Sequence, residues 1–310
     1  LADVLTSSRS VLVAVLAKAN TLLLRVQMSR DNALSQKRES ILGALFLCLL
    51  FLASSPSKAE WCGEASSSQL SAMERVVVKR VVDGDTLWLQ DGRKVRLIGV
   101  NTPELGKKGR QSEPFSVQAK QRLVELVGGS ALIRLKAGED AKDRYGRLLA
   151  YVFTEKGLSV EVALVREGLG FAIAIPPNLS LLGCLQQAQL EARSARRGVW
   201  GDAYYAPRDS LNLKHSDTGF RIVSGRLERA YLKEGGAWWL LLEGALVLMI
   251  PKGDQVFFER EDLISLEGRK LIVSGWLIKK KLSAKQKAKK YKPYMMSVKH
   301  PASFIESALK

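Results

Sequence analysis

The sequence predicts an α+β fold made of two small β-barrels, the first of which carries helices on one side. Short β-branched runs separated by turn residues dominate the chain from residue 74 onward. Segments in which apolar residues recur with helical spacing interrupt only the first group of these runs. The length of 310 residues is ample for two domains, each with its own core.

The composition limits the classes of function. The apolar fraction of 46% and the charged fraction of 25% are ordinary for globular proteins and exclude wholesale disorder. Two histidines exclude a His-rich metal site, and three cysteines exclude a disulfide-dense scaffold. The net charge of +17 favours a polyanionic partner, which is either nucleic acid or an anionic membrane surface.

The N-terminal part of the chain has the pattern of an export signal. Residues 41–53 form an uncharged apolar run that follows two basic residues and precedes a small-residue segment ending at Ala59. This pattern is typical of a signal peptide, and the run is too short to span a membrane. We expect residues 1–59 to be a signal peptide with an N-terminal extension, translation to start at Met28, and the mature protein to be secreted or periplasmic.

Cleavage near Ala59 would leave two cysteines, Cys62 and Cys184, in the mature protein. Because an exported protein matures in an oxidising compartment, these two are the candidates for a disulfide bond. Two free thiols are the other interpretation.

The first domain is predicted over residues 74–202. Its predicted strands are 74–82, 86–90, 93–100, 131–136 and 147–154, several of them joined by Asp-Gly turn signals. Its predicted helices are 115–127, 160–169 and 180–198, and glycines close the first and the last. Strands followed mainly by helices predict a small antiparallel barrel with helices on one side.

A second, small and mostly-β barrel is predicted over residues 219–305. The preceding residues 203–218 have the polar, proline-containing composition of a linker. The further predicted strands are 220–232, 237–244, 245–251, 270–278 and 293–301. Their regular spacing, with one brief connecting segment, predicts a barrel of OB-like shape.

Three motifs of the first domain carry the residue types that phosphodiester hydrolysis needs. The motifs are Asp83-Gly84-Asp85-Thr86, the run from Arg96 to Glu104 that contains Asn101-Thr102-Pro103, and Asp143-Arg144-Tyr145-Gly146-Arg147. Carboxylate and carbonyl oxygens ligate hard cations, a further carboxylate can position a water, and arginines bind phosphate oxygens. Each motif alone is more typical of an ordinary turn or an exposed strand than of a catalytic site, so the prediction depends on their combination.

The order of these motifs, followed by a helix that ends in Arg-Arg-Gly-Val-Trp, resembles the thermonuclease (staphylococcal-nuclease-like) family over residues 74–202. The resemblance implies a five-stranded OB-like barrel with three helices and Ca²⁺-dependent hydrolysis of DNA and RNA.

The resemblance also implies a role for single residues. Asp85 and Asn101 would ligate the metal through their side chains, and Thr102 would do so through its backbone carbonyl. Glu104 would hold the attacking water, while Arg96 and Arg147 would bind the scissile phosphate. Asp83 would support the metal-binding turn, and Arg144 and Tyr145 would contact a terminal phosphate of the bound nucleotide.

Two positions depart from the family pattern. Asn101 stands where the best-known members have a second metal carboxylate, so one formal charge is missing and Mg²⁺ or Mn²⁺ becomes an alternative to Ca²⁺. The loop at 168–178 lacks the paired tyrosines that flank the nucleotide in that relative. Phe171 is the aromatic residue considered as their substitute.

A lysine loop, defined as residues 279–292, holds eight lysines and no acidic residue. We predict it to be a hairpin loop of the second barrel. It is interpreted either as a solvated loop, as an anchor to an anionic membrane, or as a phosphate-binding arm without sequence specificity. The candidate substrate-binding residues are Lys279, Lys280, Lys281, Lys285, Lys287, Lys289 and Lys290.

Together these features predict an exported, Ca²⁺-dependent endonuclease that hydrolyses DNA and RNA, single- or double-stranded, with little sequence specificity. The alternative is a nucleic-acid-binding protein whose nuclease-like site is catalytically weakened. A third interpretation is an envelope-associated structural module held by its lysines. No obligate protein partner is inferred, and we expect a monomer.

Overall fold

The computed structural model describes residues 62–305, except 107–108, 130, 234, 290 and the side chain of Lys287. The predicted signal peptide, with its start at Met28 and its cleavage site near Ala59, lies outside these residues. Among the described residues, no helix is both long and apolar enough to cross a membrane.

A closed five-stranded barrel forms the first half of the described chain. The strands of this half are β1 (Glu74–Asp83), β2 (Thr86–Leu89), β3 (Lys94–Leu97), β4 (Val100–Asn101), β5 (Leu132–Lys142), β6 (Leu148–Thr154) and β7 (Phe171–Ala172). The barrel closes in the order β1-β2-β3-β6-β5, with β3 parallel to β6, while β4 and β7 pair with each other outside it. Alternate residues such as Leu87, Leu89 and Val95 are fully buried in its core, and each such side chain contributes about 1.5–3 kcal/mol.

Three helices complete the core of this barrel. They are α2 (Ser116–Val127), α3 (Val160–Arg166) and α4 (Leu182–Ser194), and a short α1 (Ser67–Ser71) precedes β1. The helices bury Leu123, Leu164 and Leu185 respectively against the strands. Helix α3 begins at Ser159, whose hydroxyl accepts a hydrogen bond from the Val162 N–H. The predicted α+β class, with a five-stranded barrel and three helices, is confirmed. The prediction that the barrel is antiparallel is wrong for one pair of strands, because β3 and β6 run in parallel.

A second five-stranded barrel follows, as predicted. Its strands are β9 (Gly219–Leu232), β10 (Trp238–Leu242), β11 (Leu246–Ile250), β12 (Lys270–Lys279) and β13 (Tyr294–Ser297). Helix α5 (Arg260–Ser265) lies between β11 and β12, and the lysine loop, which contains α6 (Ala284–Ala288), joins β12 to β13. The strands close in the order β9-β10-β11-β13-β12, with β11 parallel to β13. In both barrels the first three strands are neighbours in chain order, and the last strand pairs with the third. The two barrels therefore share one strand order.

The segment predicted as a linker, 203–218, is folded and packs between the barrels. It contains two 3₁₀ turns and the strand β8 (Arg208–Asp209), which adds to β9 in parallel. Tyr205 of this segment is buried together with Phe171 and Ile222, and its hydroxyl donates to the Pro114 carbonyl at 2.7 Å. The described residues from 62 to 305 accordingly belong to one compact unit that includes both barrels.

Candidate active site

One cleft of about 950 Å³ collects most of the site residues predicted from the sequence. It lies between the β1–β2 turn, the residues after β3, the turn before β6, and the outer face of β12 and β13. The predicted residues that line it are Asp83, Asp85, Arg96, Asn101, Glu104, Arg144, Tyr145 and Arg147. Lys94 and Lys142 add positive charge to its wall, which favours an anionic ligand.

The β1–β2 turn brings two carboxylates together. Gly84 is required there because a Cβ at this position would lie 2.6 Å from the Thr102 hydroxyl oxygen and 2.8 Å from the Ala119 Cβ. The Asp85 N–H donates to Asp83 Oδ1 at 3.3 Å. Burial and the neighbouring charge of Asp85 raise the pKa of Asp83. The turn therefore places the half-buried carboxylate of Asp83 beside the buried carboxylate of Asp85.

The carboxylate of Asp85 is held by the chain that follows β3. Its Oδ2 accepts hydrogen bonds from the N–H and the hydroxyl of Thr102, both at 3.1 Å. Arg96 Nη1 lies 3.1 Å from the same oxygen and donates to the Val100 carbonyl at 2.9 Å. Arg96 Nη2 donates to Asn101 Oδ1 at 3.3 Å. One guanidinium thus joins the side chains of Asp85 and Asn101.

The loop that carries Glu104 is fixed by Glu113. The Glu104 N–H donates to Glu113 Oε2 at 3.0 Å, and the Glu113 N–H donates to the Glu104 carbonyl at 3.0 Å. Glu113 Oε1 accepts from Arg221 Nη1 of β9 at 3.3 Å and from the Tyr204 hydroxyl at 3.2 Å. The Glu113 carboxylate therefore links the loop of Glu104 to β9 of the second barrel.

The turn before β6 presents Arg147 to the cleft. Asp143 organises this turn, because its carboxylate accepts from the backbone N–H groups of Tyr145 and Arg147 and from Arg147 Nε at 2.7 Å. Although burial opposes it, these hydrogen bonds hold the pKa of Asp143 below its ordinary value. Gly146 adopts a φ of 76°, which suits glycine. Tyr145 is 70% exposed, and the guanidinium of Arg144 lies 4.8 Å from its ring centroid.

The second barrel supplies a wall of the cleft that sequence reasoning missed. Phe220, Trp276, Ser297 and Lys299 line it, and Trp276 is 44% exposed. The alternation of β12 is the available signal, since Leu277 is buried in the barrel core and its neighbour Trp276 must point outward. Phe171, the candidate stacking residue of the loop 168–178, is 2% exposed and belongs to the core between the barrels. Its ring is therefore not available to a nucleotide.

The lysine loop lies at the far end of the β12–β13 hairpin, and its described residues are not among those that line the cleft. The ammonium groups of Lys279 and Lys280 lie over the rings of Tyr294 and Trp239. The exposed candidates of this loop are Lys279, Lys280, Lys281, Lys285 and Lys289. Lys290 and the side chain of Lys287 lie outside the described residues.

Comparisons with known proteins point to one family. Residues 94–202 match the family model described as staphylococcal nuclease homologue. The chain is 38% identical to the thermonuclease of Staphylococcus intermedius over 130 residues, which are 41% of this chain and 76% of that protein. It is 32% identical to the endonuclease YncB of Bacillus subtilis (strain 168) over 154 residues, 48% of this chain and 72% of that protein. The family-model match ends before the second barrel begins.

Proposed function

Because this chain belongs to the staphylococcal nuclease homologues and is a nuclease that hydrolyses phosphodiester bonds, we propose that it is a divalent-metal-dependent endonuclease acting on DNA and RNA. The observation that carries the proposal is the convergence of Asp83, Asp85, Asn101, Glu104 and Arg147 on one cleft. Such side chains ligate a hard cation, position a water and bind phosphate. Since phosphate is common to all nucleotides, little sequence specificity is expected.

The donor set fits a divalent cation. Among the described residues, no group of three or more His, Cys, Asp or Glu side chains is placed to hold a metal ion, so the proposed site depends on amide and carbonyl oxygens as well as carboxylates. The carboxylates of Asp83 and Asp85 repel each other in a partly buried turn, and a cation would relieve this repulsion. We propose that Asp85, the Asn101 amide oxygen and the Thr102 carbonyl hold it, with Ca²⁺, Mg²⁺ and Mn²⁺ as candidates. The cation would stabilise the negative charge that develops on the phosphate.

Glu104 and Arg147 are proposed to act directly on the reacting groups. As the water oxygen bonds to phosphorus, the Glu104 carboxylate would take up the proton of that water. The bond from phosphorus to the leaving oxygen would break in the same displacement, and the leaving oxygen would take a proton from solvent water. Arg147 would donate hydrogen bonds to the phosphate oxygens and to the leaving oxygen. Arg96 would contribute positive charge beneath the phosphate while it holds Asp85 and Asn101 in place.

The direct test is cleavage of single-stranded DNA, linear duplex DNA and RNA with Ca²⁺, Mg²⁺ or Mn²⁺, and again with excess chelator. We expect cleavage that the chelator abolishes. Glu104→Gln and Arg147→Ala should each lower kcat by about 10²–10⁴-fold, because each removes a group that acts in the transition state.

Glu125→Gln is the matched control, because Glu125 forms an exposed ion pair with Arg122 on α2 and lies outside the cleft lining. This variant should cleave like the unaltered protein. Cleavage without any divalent cation would contradict the metal proposal. Full activity of Glu104→Gln would contradict the role of Glu104.

We also propose that the protein is exported and that it acts as a monomer. Export is supported by the pattern of residues 1–59 and by the disulfide bond between Cys62 and Cys184, whose Cα atoms lie 5.2 Å apart. The lysine loop is proposed to hold nucleic acid through phosphate contacts, which its exposed lysines support.

A further inference from the structure

The outer face of the second barrel forms part of the cleft in which the proposed hydrolysis takes place. Trp276, Ser274 and Gly275 of β12 line the cleft together with Ser297 and Lys299, at and beyond the end of β13. These residues lie beyond the stretch that matches the nuclease family. Whatever they contribute is therefore an addition of this chain to the chemistry of the first barrel.

Trp276 is held in a fixed orientation while much of its surface stays open. Its ring packs edge-on against Phe220, with 5.2 Å between ring centroids and an interplanar angle of 77°. Phe220 in turn packs against Phe171 at 5.1 Å. The backbone of Phe171 pairs with that of Asn101 in the β4–β7 ribbon. The packed rings of Phe171 and Phe220 thus connect the backbone at Asn101 to the indole of Trp276, which is 44% exposed.

The surroundings of this indole suit a nucleotide. The register of β12 with β13 pairs Leu277 with Met296, so Ser297 lies opposite Trp276 on the same outer face. Ser297 and Lys299 are both exposed. A ring face next to a hydroxyl and an ammonium group offers stacking to a base and a counter-charge to its phosphate. A preoriented aromatic side chain also loses little conformational entropy on binding.

We propose that Trp276 is a stacking platform for an unpaired base of the substrate strand beside the scissile phosphate, and that Lys299 binds a phosphate next to that base. The proposal rests on the nuclease function proposed above. A base inside a duplex is covered on both faces, so this subsite favours single-stranded over duplex substrate. It is distinct from the lysine loop, because Lys279 lies about 10 Å further along β12.

The test compares KM values for a single-stranded oligonucleotide and for an abasic sugar-phosphate strand of the same length. In the unaltered protein, the abasic strand should have a KM at least about tenfold higher, because a stacked base contributes strongly to binding. Trp276→Ala should raise KM about tenfold for the base-containing strand only, and Trp276→Phe should restore most of the loss. The value of kcat should change by less than about threefold.

Tyr231→Ala serves as the control, because Tyr231 is a half-buried aromatic residue of β9 outside the cleft lining. This variant should leave both KM values unchanged. Equal KM values of the unaltered protein for the two strands would overturn the proposal, even if Trp276→Ala failed to fold. An unchanged KM for a folded Trp276→Ala would overturn it as well. Absence of any cleavage by the unaltered protein would instead contradict the proposed function itself.

Discussion

The two barrels share their strand order, yet corresponding loops carry different residues. The turn between the first two strands holds two aspartates, Asp83 and Asp85, in the first barrel, whereas the corresponding segment of the second barrel reads Lys233-Glu234-Gly235-Gly236-Ala237 and holds one basic and one acidic residue. The loop between the last two barrel strands ends at Arg147 in the first barrel, where it joins β5 to β6. In the second barrel the corresponding loop, between β12 and β13, is the lysine loop. The same topology thus supports the proposed phosphodiester hydrolysis in the first barrel and the proposed phosphate binding in the second, because the loops and not the strands supply the functional residues.

The barrels also differ in what they bury. Among the described residues, the buried charged side chains are Asp85 and Glu161, and both belong to the first barrel. Glu161 of α3 accepts from the Val152 N–H at 2.7 Å and from the Ser159 hydroxyl at 3.0 Å. Complete burial raises its pKa to about 8. The first barrel should therefore be the pH-sensitive half of the molecule.

Glu161→Gln tests this difference and has the largest expected effect on stability. Between about pH 4.5 and 8 the folded protein keeps a proton on Glu161 that the unfolded chain releases, so stability falls as pH rises through this window. The amide of the variant cannot titrate, so its stability should lack this decrease. The free energy of unfolding of the variant minus that of the unaltered protein should therefore increase by an amount on the order of 4 kcal/mol as the pH rises through this window.

Urea unfolding of both proteins at pH 5 and pH 8 measures this gain. The control is Glu243→Gln, because Glu243 is an exposed carboxylate of the second barrel, 3.6 Å from Arg226. The control should leave the pH dependence unchanged. A constant difference between Glu161→Gln and the unaltered protein at both pH values would contradict the raised pKa.

The strands and helices could be predicted because their patterns are local. One predicted strand, 93–100, is broken in the structure at Gly99, which adopts a φ of 79°. The chain there leaves the barrel so that Val100 and Asn101 pair with β7. The apolar residues Leu97, Ile98 and Val100 continue on both sides of Gly99 and cannot reveal this change of partner, although the glycine itself is a signal for a break.

The site could be predicted in its first barrel and not in its second. The motifs around Asp85, Glu104 and Arg147 are short and contiguous, so their residue types are visible in the sequence. The outward direction of Trp276 also follows from alternation, but which outer face meets the first barrel is decided by tertiary packing. The same packing buries Phe171, which local sequence does not distinguish from an exposed aromatic residue.

Arg221→Ala tests whether the second barrel positions the loop of Glu104. Removing this guanidinium leaves Glu113 without its cationic partner in a half-buried position, and the loop it holds should lose order. We expect kcat to fall about tenfold with little change in KM, since misplacing a catalytic group by even 1 Å is costly. Steady-state kinetics on single-stranded DNA measure this split.

Glu113→Gln should have a similar effect, and the double variant should be little worse than either single one, because the two residues act as a pair. Arg226→Ala is the matched control, since Arg226 is an exposed arginine of the same strand. Additive losses in the double variant would mean that Arg221 and Glu113 act independently.

The smallest effect is expected for Lys281, Lys285 and Lys289, all exposed in the lysine loop. If the second barrel holds nucleic acid and the first cleaves it, replacing these three lysines by glutamine should raise KM about fivefold and leave kcat unchanged, because each exposed charge contact contributes little. The slope of log affinity against log salt should become shallower by about two, because each lost phosphate contact removes roughly 0.7–0.9 from it. The control replaces three exposed lysines outside the loop by glutamine and so changes the net charge by the same amount. These lysines are Lys79, Lys156 and Lys270. Equal salt slopes for the two triple variants would mean that the lysine loop contributes only to the net charge of the protein. Nucleic acid would then bind in the cleft and not at the lysine loop.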